Sequence, residues 1–153
     1  MKDKYTYKFI DSDFDAETLV SYARIEMNGV EYTATTKVCK DDMDKISKYC
    51  GCRFAEHKAE LKALKAELRK EKAKCEEVRK FVRAVSCYKN FDPESPAAKA
   101  VFRQLNIRIK KVNELIDYIN DKQREYATMV GQRDIVIRAI DRNKARKNNV
   151  KGD

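Results

Sequence analysis

The residues best suited to chemistry in this sequence lie between positions 81 and 111, where aromatic and basic side chains alternate. Aromatic rings stack on nucleobases, and guanidinium groups bind phosphates through paired hydrogen bonds. Asn90 adds a side chain that can both donate to and accept from a base edge. The other predicted ligand residues are Phe81, Tyr88, Phe91, Arg103, Arg108 and Lys111, and Phe102 adds a further aromatic ring to the cluster. This combination favours nucleotide binding; the alternative is that the aromatic residues merely close the end of a helical hairpin.

The sequence does not indicate catalysis or metal binding. The single histidine, His57, falls within an apolar helical stripe and is interpreted as a core residue. The carboxylates Glu76 and Glu77 fall on an open helix face without a pocket and are interpreted as solvated charge. Cys50 and Cys52 do not have the spacing of zinc-binding cysteine pairs. No glycine-rich phosphate loop or hydrolase motif occurs. We therefore predict no enzyme activity, no metal and no cofactor.

A β-hairpin is the clearest element of the N-terminal part. Asn28-Gly29 separates two apolar-alternating segments, and both residues tolerate the positive φ angles of a two-residue type I′ turn. Folding about this turn places three pairs on one buried face: Met27 with Val30, Ile25 with Tyr32, and Ala23 with Ala34. An edge strand is also expected over Tyr5 to Ile10. Residues 1–39 are thus predicted to form a small antiparallel sheet.

Two long helices account for the rest of the chain. Apolar residues recur three and four positions apart from Cys50 to Val85 and again from Phe102 to Ile140, which is the spacing of a coiled-coil seam. We predict helices over 41–87 and 96–145, a proline-containing loop over 88–95, and a disordered basic tail over 146–153. The fold class is α+β in a single domain, 1–153: an N-terminal antiparallel β-hairpin sheet followed by two antiparallel helices of an oligomeric bundle.

The surface properties of these helices suggest partners. Leu115, Ile135, Val136 and Ile107 lie off the second stripe, and a homo-oligomer would bury them. The net charge of +9 favours anionic ligands. The N-terminus lacks the apolar segment of a secretory signal, and no run of about 18 apolar residues could span a membrane. We expect a cytoplasmic protein, with no membrane partner and with reduced cysteines.

Several motifs give this sequence a resemblance to a known family. In order, they are the Asn-Gly hairpin, Asp-Asp-x-Asp before a Lys/Ala/Leu-rich helix, Phe81-Val82-x-x-Val85, Tyr88-Lys-Asn-Phe-Asp-Pro, Ser-Pro-Ala-Ala-Lys and Phe102-Arg-Gln-Leu-Asn-x-Arg108-Ile-Lys-Lys-Val-Asn-Glu-Leu. Together they resemble the phage Thoeris anti-defence sponge proteins of the first type, over most of residues 18 to 120.

The resemblance implies a counter-defence function in the cytoplasm of an infected bacterium. Members of the family bind and sequester cyclic ADP-ribose isomers without cleaving them, some also take up cyclic oligonucleotides, and they assemble as helical-bundle oligomers. The implied ligand residues here are Phe81, Asn90, Arg103 and Arg108, with Lys111 where a further arginine is expected. The implied partners are a nucleotide signal and other copies of the chain, as a dimer or hexamer.

Two other functions stay open at this point. The chain could be a basic helical nucleic-acid-binding phage protein or a structural coiled-coil assembly protein. A protein that binds a polymer spreads its positive charge along a stripe, whereas a sponge concentrates charge and aromatic residues at one pocket. Lys and Arg occur throughout both helices, but the aromatic residues cluster at the helix junction. The clustering favours the sponge.

Overall fold

The computed structural model describes residues 5–37 and 48–151. Three strands, β1 (Lys8–Asp15), β2 (Val20–Met27) and β3 (Val30–Lys37), precede two helices, α1 (Lys48–Ser86) and α2 (Pro96–Lys151). The predicted α+β class, an antiparallel sheet followed by two long helices, is confirmed. The sequence predicts one domain, and the chain groups into two compact units, Met1–Ala63 with Lys122–Asp153 and Leu64–Asp121.

The hairpin has the predicted turn and register. Asn28 and Gly29 both have positive φ, at 52° and 81°. Met27 pairs with Val30, and the register continues through the other two predicted pairs. Alternate residues of β2 are fully buried, ending with Ile25 and Met27. The alternation of small or apolar residues with polar ones therefore places one face of β2 in the core, whereas Val30 on β3, predicted to be buried, is 41% exposed.

The first strand lies further along the chain than the predicted Tyr5 to Ile10. β1 is an edge strand that pairs antiparallel with β2, and its register shifts between Phe9 and Asp11. Beyond the shift, the guanidinium of Arg24 donates hydrogen bonds of 2.8 and 2.7 Å to the Asp11 carboxylate. The strand continues through an acidic stretch because cross-strand pairing holds it there, although its own residues show little apolar alternation.

The start of α1 lies close against the sheet in the first unit. A Cβ atom at Gly51 would collide with the buried Ser21 hydroxyl of β2. The Thr36 hydroxyl donates a 3.1 Å hydrogen bond to the carbonyl oxygen of Gly51. Ala55 and Ala59 follow one and two turns later on the same helix face, and both are fully buried. Small residues thus allow the helix backbone to approach the strands.

Both helices contribute to the core of the first unit. The Phe54 ring meets Tyr126 edge to face with a centroid separation of 6.0 Å, and the Arg133 guanidinium lies 5.3 Å from the Phe54 centroid. The ammonium of Lys122 lies 3.4 Å from a buried carboxylate oxygen of Glu60. These contacts set the two helices antiparallel, as predicted. Residues 41–47, the start of the predicted first helix, lie outside the described residues.

The second unit contains the other parts of α1 and α2. Leu64, Cys75, Leu115 and Ile119 are buried there. Leu115 is therefore buried within a single chain, whereas the sequence predicted that a homo-oligomer would bury it. No helix in the described part of the chain is long and apolar enough to cross a membrane.

The helix boundaries differ from the predicted ones mainly at the C-terminal end. α1 ends at Ser86 and α2 begins at Pro96, each within one residue of the prediction. α2 then continues to Lys151, six residues past the predicted end at 145 and over most of the segment predicted to be disordered. The shorter helix was predicted because the residues after 145 are polar. They contain no proline before Lys151, so no helix-breaking residue ends α2 earlier.

Candidate functional site

A short, internally hydrogen-bonded loop connects α1 to α2. The Phe91 amide donates to the Tyr88 carbonyl at 3.1 Å, and the Glu94 amide donates to the Asp92 carboxylate at 2.9 Å. The Ser95 hydroxyl accepts a 3.2 Å hydrogen bond from the Ala98 amide, so that Ser95 caps α2 ahead of Pro96. The loop conformation is therefore fixed by its own polar residues.

A cleft of about 610 Å³ lies at this end of the hairpin. A cavity of this size is typical for a small organic ligand. The last turns of α1, the loop and the first turns of α2 all contribute to it. The lining residues are Phe81, Val82, Val85, Ser86, Tyr88, Lys89, Asn90, Phe91, Asp92, Ser95, Ala97, Ala98, Val101 and Phe102.

Aromatic rings dominate the cleft. Phe91 and Phe102 pack edge to face, with centroids 6.3 Å apart and an interplanar angle of 77°. Phe81 and Tyr88 are 55% and 72% exposed, which is unusual for side chains of this size. The first two rings support each other, and the second two offer accessible faces to a planar ligand.

The structure brings together four of the seven ligand residues predicted from the sequence. Phe81, Tyr88, Asn90 and Phe91 all line the cleft. Arg103, Arg108 and Lys111 are absent from its lining. The single cation among the lining residues is Lys89 from the loop, and the single carboxylate is Asp92. The aromatic half of the predicted site is therefore assembled in the cleft, whereas its predicted phosphate-binding half lies elsewhere on α2.

Arg108 has a different environment in the second unit. Its guanidinium lies 3.9 Å from a carboxylate oxygen of Glu71, whose side chain is 6% exposed. That oxygen, Oε2, is buried and accepts no hydrogen bond from the described residues. Lys74 approaches the other oxygen at 3.7 Å. Arg108 therefore balances a buried charge. Arg103 is exposed, and Lys111 is partly buried.

Sequence reasoning missed the apolar walls of the cleft. Val82 and Val85 match the seam spacing of α1, but at the end of the hairpin they line the cleft together with Val101 and Ala98. The proline-containing loop after α1 could have indicated these walls. Where the apolar seam of α1 reaches the loop, no further helix turn covers its last residues.

The perturbed titratable groups lie away from the cleft. Burial and a 2.6 Å hydrogen bond from the Tyr7 hydroxyl to Glu56 raise the pKa of Tyr7 above its ordinary value. Burial also raises the pKa of Tyr126, which packs on Phe54. His57 is half-buried, and its Nε2 has no hydrogen-bond partner among the described residues. Within residues 5–37 and 48–151, no three His, Cys, Asp or Glu side chains cluster closely enough to hold a metal ion.

Comparison with known proteins finds no match: no family model, curated protein or solved structure matches this chain. The resemblance to the anti-defence sponge proteins therefore depends on the sequence motifs.

Proposed function

We propose that this chain is a phage counter-defence protein that binds cyclic ADP-ribose isomers made by bacterial immune signalling and sequesters them without cleavage. The observation that supports the proposal best is the cleft at the hairpin end. It has the volume of a small-ligand site and collects the aromatic residues and the asparagine that the sequence singled out. The proposed function requires that this cleft bind a nucleotide-like molecule.

The cleft offers separate positions for the parts of a nucleotide. The accessible faces of Phe81 and Tyr88 would stack on the adenine, because every nucleobase presents a π-face. Asn90 would bond to a base edge or a ribose hydroxyl. Lys89 would hold a phosphate, a role that the sequence assigned to Arg103 and Arg108. The ligand's phosphates would then lie toward the loop and its base toward the aromatic side chains.

The polar groups of the cleft support binding without turnover. The Ser86 hydroxyl donates a 2.7 Å hydrogen bond to the Val82 carbonyl. Ser95 accepts from the Ala98 amide, and Asp92 accepts from the Glu94 amide. Both lining serine hydroxyls and one oxygen of the lining carboxylate are thus engaged in holding the backbone. A serine nucleophile also needs a neighbouring base, and the residues that line the cleft include no histidine.

Self-association is part of the proposal. Ile107, Ile135 and Val136 are 41%, 63% and 53% exposed on α2. Large apolar side chains exposed on a long helix are commonly covered by another chain. The structure contains one copy, and sedimentation at micromolar concentration should show at least a dimer. A monomer of 17.9 kDa would contradict this part of the proposal.

Calorimetric titration with a cyclic ADP-ribose isomer tests the cleft directly. Removing a stacking ring costs about 1–3 kcal/mol in comparable sites, and about 1.4 kcal/mol corresponds to tenfold in affinity. Tyr88→Ala and Asn90→Ala should each weaken binding about tenfold. Matched controls are Phe9→Ala, an exposed ring on β1, and Asn120→Ala, an exposed amide on α2. Neither control should change the affinity.

Two results would count against the proposal. Equal weakening by the cleft variants and the controls would place the binding site outside the cleft. A ligand that returns chemically altered after prolonged incubation, in proportion to the protein added, would show an enzyme. Heating the complex and recovering the intact nucleotide is the result expected of a sponge.

A further inference from the structure

A second surface of α1 carries concentrated positive charge. Lys65, Arg69, Lys72, Arg79 and Arg83 are all exposed and recur three, four or seven positions apart. At about 100° per residue they fall within an arc of about 80° of the helix surface. They rise over about 27 Å, at 1.5 Å per residue. We call these five side chains the basic ridge; they all belong to the second unit.

Charge is segregated around this part of α1. Glu67 and Glu71 are buried, at 8% and 4% exposure. On the same helix, Glu67 forms an ion pair with Lys70, and Glu71 forms one with Lys74. None of the ridge cations is part of those pairs. These two carboxylates thus point inward, whereas the ridge cations are exposed.

Neighbouring ridge cations repel one another, and Glu76, between Lys72 and Arg79, offsets part of this repulsion. Lys65 precedes Arg69 by four positions, Arg69 precedes Lys72 by three, and Arg79 precedes Arg83 by four. Like charges at these separations repel. An ordinary solvated helix face alternates charges and gains from them. Glu76 is the one carboxylate on the line of the ridge. The repulsion is relieved when an extended anion lies along the ridge.

We infer that the basic ridge binds the phosphate backbone of duplex nucleic acid without reading its sequence. This part of α1 carries an exposed cation every one or two turns. A duplex presents about one negative charge per 1.7 Å of its axis, so an extended row of cations can contact several phosphates. A membrane surface fits less well, because a helix that lies on lipid also presents large apolar residues beside its cations. Phosphate contacts from lysine and arginine position a duplex but carry no sequence information.

The ridge is chemically distinct from the aromatic cleft. Arg83 follows Phe81 and Val82 closely in the chain but does not line the cleft. The inference thus goes beyond the proposed sponge function, and the two can be tested apart. A ridge variant should keep its affinity for a cyclic ADP-ribose isomer, and Tyr88→Ala should keep its affinity for a duplex.

Fluorescence anisotropy with a labelled, mixed-sequence DNA duplex at several salt concentrations tests the ridge. Five phosphate contacts predict a slope of about −4.5 for log affinity against log salt. The variant Arg69→Gln/Lys72→Gln/Arg79→Gln should reduce the slope by about 3 and weaken binding at least about tenfold at low salt. The control Lys99→Gln/Lys110→Gln/Arg138→Gln removes the same charge from exposed positions on α2. It should change both quantities much less.

Three outcomes would overturn the inference. Absence of duplex binding at low salt would refute it outright. Equal losses in the two triple variants would show that net charge acts, and not the ridge. Salt-sensitive self-association that the ridge variant abolishes, without duplex binding, would assign the ridge to an acidic surface of a second copy. Circular dichroism should show unchanged helix content in both variants, since the substituted side chains are exposed.

Discussion

A substitution of Arg108 tests whether this residue binds the ligand or stabilises the fold. The sequence places it in the nucleotide site, whereas the structure places its guanidinium beside the buried carboxylate of Glu71. Arg108→Met keeps the aliphatic stem and the helix propensity while removing the charge. We expect this variant to lose stability in the absence of any ligand.

The size of the loss follows from the geometry of the pair. Two unit charges 3.9 Å apart attract by about 4 kcal/mol at an effective dielectric constant of 20, and by about 1 kcal/mol in bulk water. The Arg108 side chain is 32% exposed, so solvent screens part of this attraction. Lys74 stays close to Glu71 and limits the penalty further. We expect a loss of about 2 kcal/mol, equivalent to a melting temperature lower by about 4–8 °C in a protein of this size.

Urea unfolding followed by helical circular dichroism, at one protein concentration, measures the effect. Adding Glu71→Gln to Arg108→Met should recover most of the stability, because no unpaired charge is then buried. The matched control is Arg103→Met, an exposed arginine on the same helix, which should stay within about 0.5 kcal/mol of the parent. The reasoning fails if Arg108→Met unfolds like the parent protein but loses affinity for the nucleotide.

Three further predictions concern the sheet and the loop. Gly51→Ala should cost about 1–3 kcal/mol through overpacking against Ser21, whose Cβ would lie 3.2 Å from the new atom, and Ser21→Gly should relieve it; an unchanged melting curve for Gly51→Ala would contradict the close approach. The raised pKa of Tyr7 means that the folded state holds this proton more tightly than the unfolded state, so the associated stability is present below the ordinary pKa of 10.0 and is lost as pH rises above it. Tyr7→Phe should therefore reduce the alkaline loss of unfolding free energy in denaturant titrations above about pH 10, and equal pH profiles for both proteins would refute the assignment. Ser95→Ala should lower stability by about 1 kcal/mol because the Ala98 amide loses its acceptor, whereas Ser95→Asp should retain it in thermal melts.

The parts of the fold that sequence predicted correctly depend on local chemistry. The Asn28-Gly29 turn permits a single short connection, and alternation then fixes which residues of the strands meet. Ser95 and Pro96 mark the start of α2 for a similar reason, since cap and first-turn preferences act within a few residues. Such features are legible in one segment without knowledge of the rest of the chain.

The parts that sequence did not predict depend on distant residues. The helical periodicity located Arg108 on α2, but its direction is set by Glu71 on the other helix. Ala55 and Ala59 are both fully buried on the helix face of Gly51, and nothing in their immediate sequence indicates it. Alanine is equally common on solvent-exposed and on closely packed helix faces, so its presence does not indicate whether a position is buried.

The cleft lies entirely between Phe81 and Phe102, within one helix–loop–helix segment. Closing such a short segment costs little chain entropy, so its contacts belong to the fastest-forming class during folding. The same locality bears on how the protein can diversify. A lineage could exchange residues 88–95, which form much of the cleft, while leaving the sheet and its hairpin register untouched. Under the proposed counter-defence function, a recognition element that can change within one short stretch of gene would be favoured over one dispersed across the fold.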